Sequence, residues 1–140
     1  MDNLTPGQRA KNMRRVKSKD TSPEMAVRRR LFALGYRYRV HYSGVPGKPD
    51  VVFPTRRLAI FIHGCFWHQH EGCKKAKRPA TRRSFWNTKL DRNMARDRDV
   101  RRDLEAAGWT QHVIWECELK DVDAVVLRLV EVIKKHPAQR

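Results

Sequence analysis

Acidic residues are scarce in this chain. Against 31 Lys and Arg stand only 15 Asp and Glu over 140 residues, a formal net charge of +16. That deficit suits a polyanionic partner. Nucleic acid comes first, because neutralised phosphates release counterions whatever the base sequence; anionic lipid or a merely solvated basic surface is the other reading. Long apolar runs are also missing. None approaches the roughly 18 residues of a membrane span, and no apolar h-region follows Met1-Asp2-Asn3-Leu4, so no signal peptide, no membrane partner and a cytoplasmic location are expected. Cysteine is limited to three residues. In a reducing compartment these read as metal ligands or buried thiols rather than disulfides. Internal repeats and low-complexity linkers are absent. The expected organisation is a polar, basic arm over residues 1–20, with Met13 its conspicuous apolar exception, and a single domain over 21–140, long enough for a core.

The periodicity predicts a mixed sheet flanked by helices. Thr21-Ser22-Pro23-Glu24 has capping-box spacing and a proline tolerated in the first helical turn. Val27, Leu31 and Leu34 then fall on one face, with Gly35 at the C-terminal cap. Tyr36 to His41 alternates in the manner of a half-buried strand, and Ser43 to Pro49 is a loop. Asp50-Val51-Val52-Phe53 is a second strand, and Leu58 to Ile62, apolar throughout, is a third and central one. Ser84 to Ala107 is helical, carrying Trp86, Leu90 and Met94 every four residues and then Val100 and Leu104 after a phase shift. Trp109 to Trp115 is a fourth strand, and Asp121 to Lys135 a last amphipathic helix. The order α-β-β-β-α-β-α places this chain in the α/β class.

The chemistry concentrates in His63-Gly64-Cys65-Phe66-Trp67-His68-Gln69-His70-Glu71-Gly72-Cys73, just after the central strand. Cys65, His70 and Cys73 have metal-ligand spacing, and a closed tetrahedral zinc site needs a fourth ligand. Cys117 is the cysteine that remains. If the fourth strand neighbours the third, Cys117 arrives where Cys65 does, and a Cys3His site uses every cysteine in the chain. Buried free thiols are the competing reading. A structural zinc would pin a glycine-containing loop that has no core of its own. His63 and His68 are then free to activate water or to hold a phosphate, unless one of them replaces His70 as a ligand. Phe66 and Trp67, exposed in a basic protein, fit a wedge between base pairs. Met13 and Trp86 could join them, although Trp86 reads equally as core beside Leu90.

Pro49-Asp50 opens a strand, and the next strand ends at His63. Metal-dependent nucleases commonly set an acid, a spacer and a lysine on that adjacent strand. Here the element reads Phe61-Ile62-His63: the acid is missing and histidine stands in place of lysine. Asp50 can still hold Mg2+, with a main-chain carbonyl completing the shell. Asp after Pro is also a common turn residue. Glu24 and Asp97 are the remaining acids of interest, Asp97 lying in an Arg96-Asp97-Arg98-Asp99 run that would also suit a solvated, ion-paired face.

Taken together, these residues resemble the very short patch repair (Vsr) endonucleases, bacterial enzymes that nick DNA beside a T:G mismatch. The resemblance runs from Lys11-Asn12-Met13-Arg14 to Trp115-Glu116-Cys117. It includes Pro46-Gly47-Lys48-Pro49-Asp50, His63-Gly64-Cys65-Phe66-Trp67-His68, Pro79-Ala80-Thr81-Arg82, Phe85-Trp86, Arg96-Asp97 and Gly108-Trp109. It implies a restriction-endonuclease-like fold in one endonuclease domain. It implies Mg2+ on Asp50 and the main-chain carbonyl of Ile62, His68 as general base, His63 as its neighbour, and Glu24 and Asp97 in support. It implies Zn2+ on Cys65, His70, Cys73 and Cys117, and DNA contacts by Met13, Phe66, Trp67 and Trp86. The implied partners are duplex DNA with a T:G mismatch arising from deaminated 5-methylcytosine, MutL-type repair factors, and a cytosine methyltransferase as a functional link; a monomer is expected. Two departures stand out. His70-Glu71-Gly72-Cys73 carries one residue more than the family spacing, and Gln69 replaces a histidine.

Overall fold

The computed structural model of the chain describes residues 22–139. The basic arm with Met13 and the Thr21 cap lie outside those residues. Helix α1 spans Ser22–Ala33, strand β1 Val51–Phe53, β2 Leu58–His63, helix α2 Arg83–Ala106, strand β3 Thr110–Trp115 and helix α3 Val122–Lys135. Single 3-10 segments lie at Pro54–Arg56, Lys74–Ala76 and Glu116–Asp121. The central strand is β2, as expected: it pairs antiparallel with β1 and parallel with β3. The chain is therefore α/β, with a mixed sheet of three strands among the described residues.

The strand expected over Tyr36 to His41 is not formed. That segment makes one isolated bridge, Arg39 to Val52, with N–H···O distances of 2.8 and 2.9 Å. His41 takes φ +53°, a left-handed conformation that turns the chain off the sheet before a ladder can grow.

Strand alternation divides the core into two layers. On one face, Val51, Phe53, Leu58, Ile60 and Ile114 pack with Val27 and Leu31 of α1 and with Val125, Val126, Leu129 and Ile133 of α3. On the other, Ala59 and Phe61 pack with Leu104 of α2, beside Val100 and Trp109. α1 is tied to α3 by Arg30, whose Nε donates to Asp123 at 2.8 Å.

Leu34, expected on the buried face of α1, is 57% exposed. The helix stops at Ala33, one residue too early for Leu34 to reach the core. Gly35 at φ +94° closes a Schellman cap, with Tyr36 N–H on Leu31 O and Gly35 N–H on Phe32 O, both at 3.0 Å. Gly108 ends α2 the same way, its φ at +83° and Trp109 N–H on Leu104 O at 2.9 Å.

Candidate active site

Residues 59, 61 and 63 of β2 share the face that looks toward α2, and this parity places His63 at the strand end beneath that helix. Its side chain is buried, and the loop beyond turns back so that His68 N–H bonds Gly64 O at 3.1 Å. The two imidazoles stack, with centroids 3.8 Å apart and planes 6° from parallel. Two rings so close cannot comfortably both be cations. Burial, with His68 adding to it, holds the His63 pKa down at about 4. His68 Nδ1 lies 2.7 Å from Asp97 Oδ2 on α2. A carboxylate only accepts, so Nδ1 carries the proton, and in the neutral ring the lone pair is on Nε2. Asp97 therefore leaves its charged run on α2 and faces inward.

Asp50 immediately precedes β1, on the same face of the sheet. Its Oδ2 accepts the Ile62 N–H at 2.6 Å, which ties the carboxylate across to β2. Burial pushes the Asp50 pKa up to about 7; the Ile62 N–H opposes the shift and neighbouring Glu24 adds to it. Glu24 is buried at the start of α1 and paired with buried Arg28 at 3.2 Å. Two carboxyls brought together out of water, one of them hard to ionise, fit a divalent cation, whose charge removes the penalty. Asp50, Glu24, Ile62, His63, His68 and Asp97 all line one cleft of ≈ 660 Å³.

The parallel register pairs His63 with Trp115, so two residues further on Cys65 and Cys117 emerge side by side. Cys117 lies in the 3-10 segment after β3 rather than at the strand end. The ligand atoms of Cys65, His70, Cys73 and Cys117 all fall within 4.8 Å of one another. His70 Nδ1 is 3.7 Å from Cys65 Sγ and 3.4 Å from Cys117 Sγ. Ordinary Zn–S and Zn–N bonds in a tetrahedron place sulfur and nitrogen about 3.5 Å apart, so the donors fit that ion. Gly72, at φ +76° with open space around it, gives the turn between His70 and Cys73 its left-handed backbone. Cys117 N–H also donates to Cys65 Sγ at 3.4 Å.

Between these clusters the aromatics form a patch. Trp67 is 46% exposed and Phe85 44%. Phe66 packs edge-on against Trp67 at 5.1 Å and Trp86 at 5.5 Å. Trp86 thus belongs to this patch and not to the core. Sequence reasoning passed over three neighbours. Trp115 stacks on His70 at 4.2 Å and meets His63 edge-on at 5.3 Å, a spacer between the two clusters. Asn93 Nδ2 donates to Trp67 O at 3.1 Å. Arg78 reaches from the loop to α2. Of the three, Asn93 alone lies at helical i, i+4 spacing from Asp97, and that spacing does not disclose its contact with Trp67.

Comparison with known proteins places the chain in a family. The family profile described as DNA mismatch endonuclease Vsr matches residues 1–75. The chain is 46% identical over 132 residues to the type II nicking enzyme V.XorIIP of Xanthomonas oryzae, covering 94% of this chain and 96% of that one. It is 43% identical over 113 residues to the DNA mismatch endonuclease Vsr of Escherichia coli K12, covering 80% of this chain and 71% of that one. It is 38% identical over 134 residues to the type II nicking enzyme V.NmeAIP of Neisseria meningitidis, covering 96% of this chain and 95% of that one. By the profile match and by these relatives, the chain is a DNA endonuclease and belongs to the Vsr family.

Proposed function

We propose that the chain nicks one strand of duplex DNA at a T:G mismatch, 5′ to the mismatched T, to start very short patch repair of deaminated 5-methylcytosine. The observation that carries this is the sharing of one cleft by the His63–His68–Asp97 group, Asp50 and the exposed Trp67. Water activation, metal binding and an aromatic wedge thereby meet at one point.

In this reading His68 is the general base. Asp97 fixes its tautomer, and Nε2 takes the proton of the attacking water. His63, neutral and stacked beneath it, keeps the ring in plane and can donate to a phosphate oxygen. Asp50 and the Ile62 carbonyl would hold a Mg2+, with Glu24 in support, and the ion would supply charge neutralisation at the scissile phosphate. A structural Zn2+ on Cys65, His70, Cys73 and Cys117 pins the loop. Phe66 and Trp67, with Trp86 packed against them and Met13 of the arm joining in, open the stack at the wobble pair, where unstacking costs less than at a matched pair. The arm of residues 1–20 grips DNA beside a single domain with a restriction-endonuclease-like core. The protein acts as a cytoplasmic monomer, in a host carrying a cytosine methyltransferase and with MutL-type factors as partners.

The relatives described as nicking enzymes favour a second reading, a nuclease of this family with another sequence context or lesion. One assay separates the two: a strand-labelled duplex bearing T:G, U:G or matched C:G in varied contexts, with Mg2+ or EDTA. A Mg2+-dependent nick confined to the T strand of T:G is the expected result. Equal cutting of matched duplex sinks the mismatch reading, and binding without cleavage in every context leaves a DNA-binding module.

A further inference from the structure

Gln69 occupies an unfavourable backbone conformation, at φ +51°. For a residue other than glycine this persists only where the surroundings over-determine it. The surroundings here are specific. Gln69 Nε2 donates to Phe66 O at 2.7 Å and to Ala76 O at 3.0 Å, and Oε1 accepts Arg78 Nε at 2.9 Å. Both N–H groups and the carbonyl are thus used, and the partners dictate which end is which: two carbonyls demand the nitrogen, and a guanidinium demands the oxygen. Arg78 continues to α2, donating to Asn87 Oδ1 at 3.0 Å and to Asp91 Oδ1 at 2.7 Å. Asn87 adjoins Trp86, whose ring packs on Phe66 and Trp67.

We infer that Gln69, held by Arg78, is a positioning residue that sets the aromatic wedge against α2 before DNA arrives, independently of the cysteine cluster. This rests on the reading that Phe66 and Trp67 enter the DNA stack. The carboxamide fixes the carbonyl of the first wedge residue. The same guanidinium that orients the carboxamide grips the helix carrying the platform under both rings. Neither side chain is a donor of the Cys3His group, so the cluster fixes the loop at Cys65, His70 and Cys73 while the clamp fixes its tip. A wedge already shaped has less ordering entropy to lose on insertion. His68 lies in the chain between Trp67 and Gln69, so a slack tip also disturbs its contact with Asp97.

The test compares Gln69→Glu and Arg78→Ala with the parent. Glutamate keeps the size and the Arg78 contact but sets a carboxylate against two carbonyls. Readouts are bound zinc, affinity for matched duplex, fluorescence of 2-aminopurine placed beside the mismatch, and the single-turnover nicking rate at T:G. Expected for Gln69→Glu are parental zinc and parental matched-duplex affinity, with a diminished 2-aminopurine rise and a rate lower by about tenfold or more. Arg78→Ala falls between that variant and the parent. A parental 2-aminopurine rise and rate in Gln69→Glu overturn the inference. If Gln69→Glu instead loses its zinc, Arg78→Ala decides, and parental values there overturn it equally. Absence of any 2-aminopurine rise in the unmodified protein defeats the wedge reading itself; a rise that survives both substitutions defeats only the clamp.

Discussion

His68 Nδ1 lies 2.7 Å from Asp97 Oδ2, a contact that joins the loop after β2 to the middle of α2 and sets which ring nitrogen is free. Replacing Asp97 by Asn keeps the shape and removes the anion. The amide can present its N–H to Nδ1 and drive the proton to Nε2, the wrong tautomer for a base. Single-turnover nicking by Asp97→Asn is expected to fall by roughly 10²–10⁴-fold with DNA affinity unchanged. An equal loss in affinity would place Asp97 in binding instead.

The raised Asp50 pKa gives a pH prediction. A carboxyl whose pKa moves from 3.8 to about 7 holds in the folded state a proton that the unfolded chain has lost. Metal-free stability should therefore decline as pH rises from about 4 to about 7 and level off above. If Asp50 holds Mg2+ as proposed, the ion competes with that proton. The Mg2+ concentration giving half-maximal nicking should fall by about tenfold per pH unit below pH 7 and flatten above it. Glu24→Gln removes a charge that raises Asp50 and should move the break to lower pH. A pH-independent Mg2+ requirement would show that Asp50 is not the titrating ligand.

Loss of one sulfur donor should open the Cys3His group. Cys117→Ser is expected to lose bound zinc, measured by metal analysis, and at least about tenfold in T:G nicking. The sheet and the α1–α3 layer should persist, because no residue of the large core cluster belongs to the loop. Far-UV circular dichroism near that of the parent, with the zinc gone, is the expected pattern. Full zinc retention by Cys117→Ser would remove Cys117 from the ligand set.

Much of this was legible in the chain itself. Counting cysteines led to Cys65, Cys73 and Cys117, and the structure brings those three to His70 because β2 and β3 run parallel in register. An unbroken apolar run marked β2 as central, and its period-2 alternation carries His63 to the α2 side. The segment Tyr36 to His41 misled because alternation describes faces and not pairing: the ladder needs a straight backbone, and His41 bends it. Leu34 misled because one helical turn decides burial, and the Gly35 cap ends the helix first. The Gln69–Arg78 clamp and the Asn93 contact were invisible for another reason. They depend on where α2 crosses the loop, and side-chain hydrogen bonds across such a crossing leave no periodic trace.

Gly47 shows how closely the Asp50 loop is fitted. Its φ is +85°, and a Cβ there would stand 2.4 Å from Val100 Cγ1 and 3.2 Å from Phe61. Val100 is β-branched and sits on a helix, so its rotamer has little room to yield. Gly47→Ala thus meets a strained backbone and a clash together, and should destabilise by about 2–4 kcal/mol in urea unfolding. The displaced loop leads directly through Lys48 and Pro49 to Asp50, so the Mg2+ concentration giving half-maximal nicking should rise as well. Adding Val100→Ala removes the clash and leaves the backbone strain. The double variant should recover part of the stability lost through Gly47→Ala, less what the Val100 truncation itself costs. Full parental stability in Gly47→Ala alone would mean that the loop does not lie against α2, and that Asp50 is held by the Ile62 N–H alone.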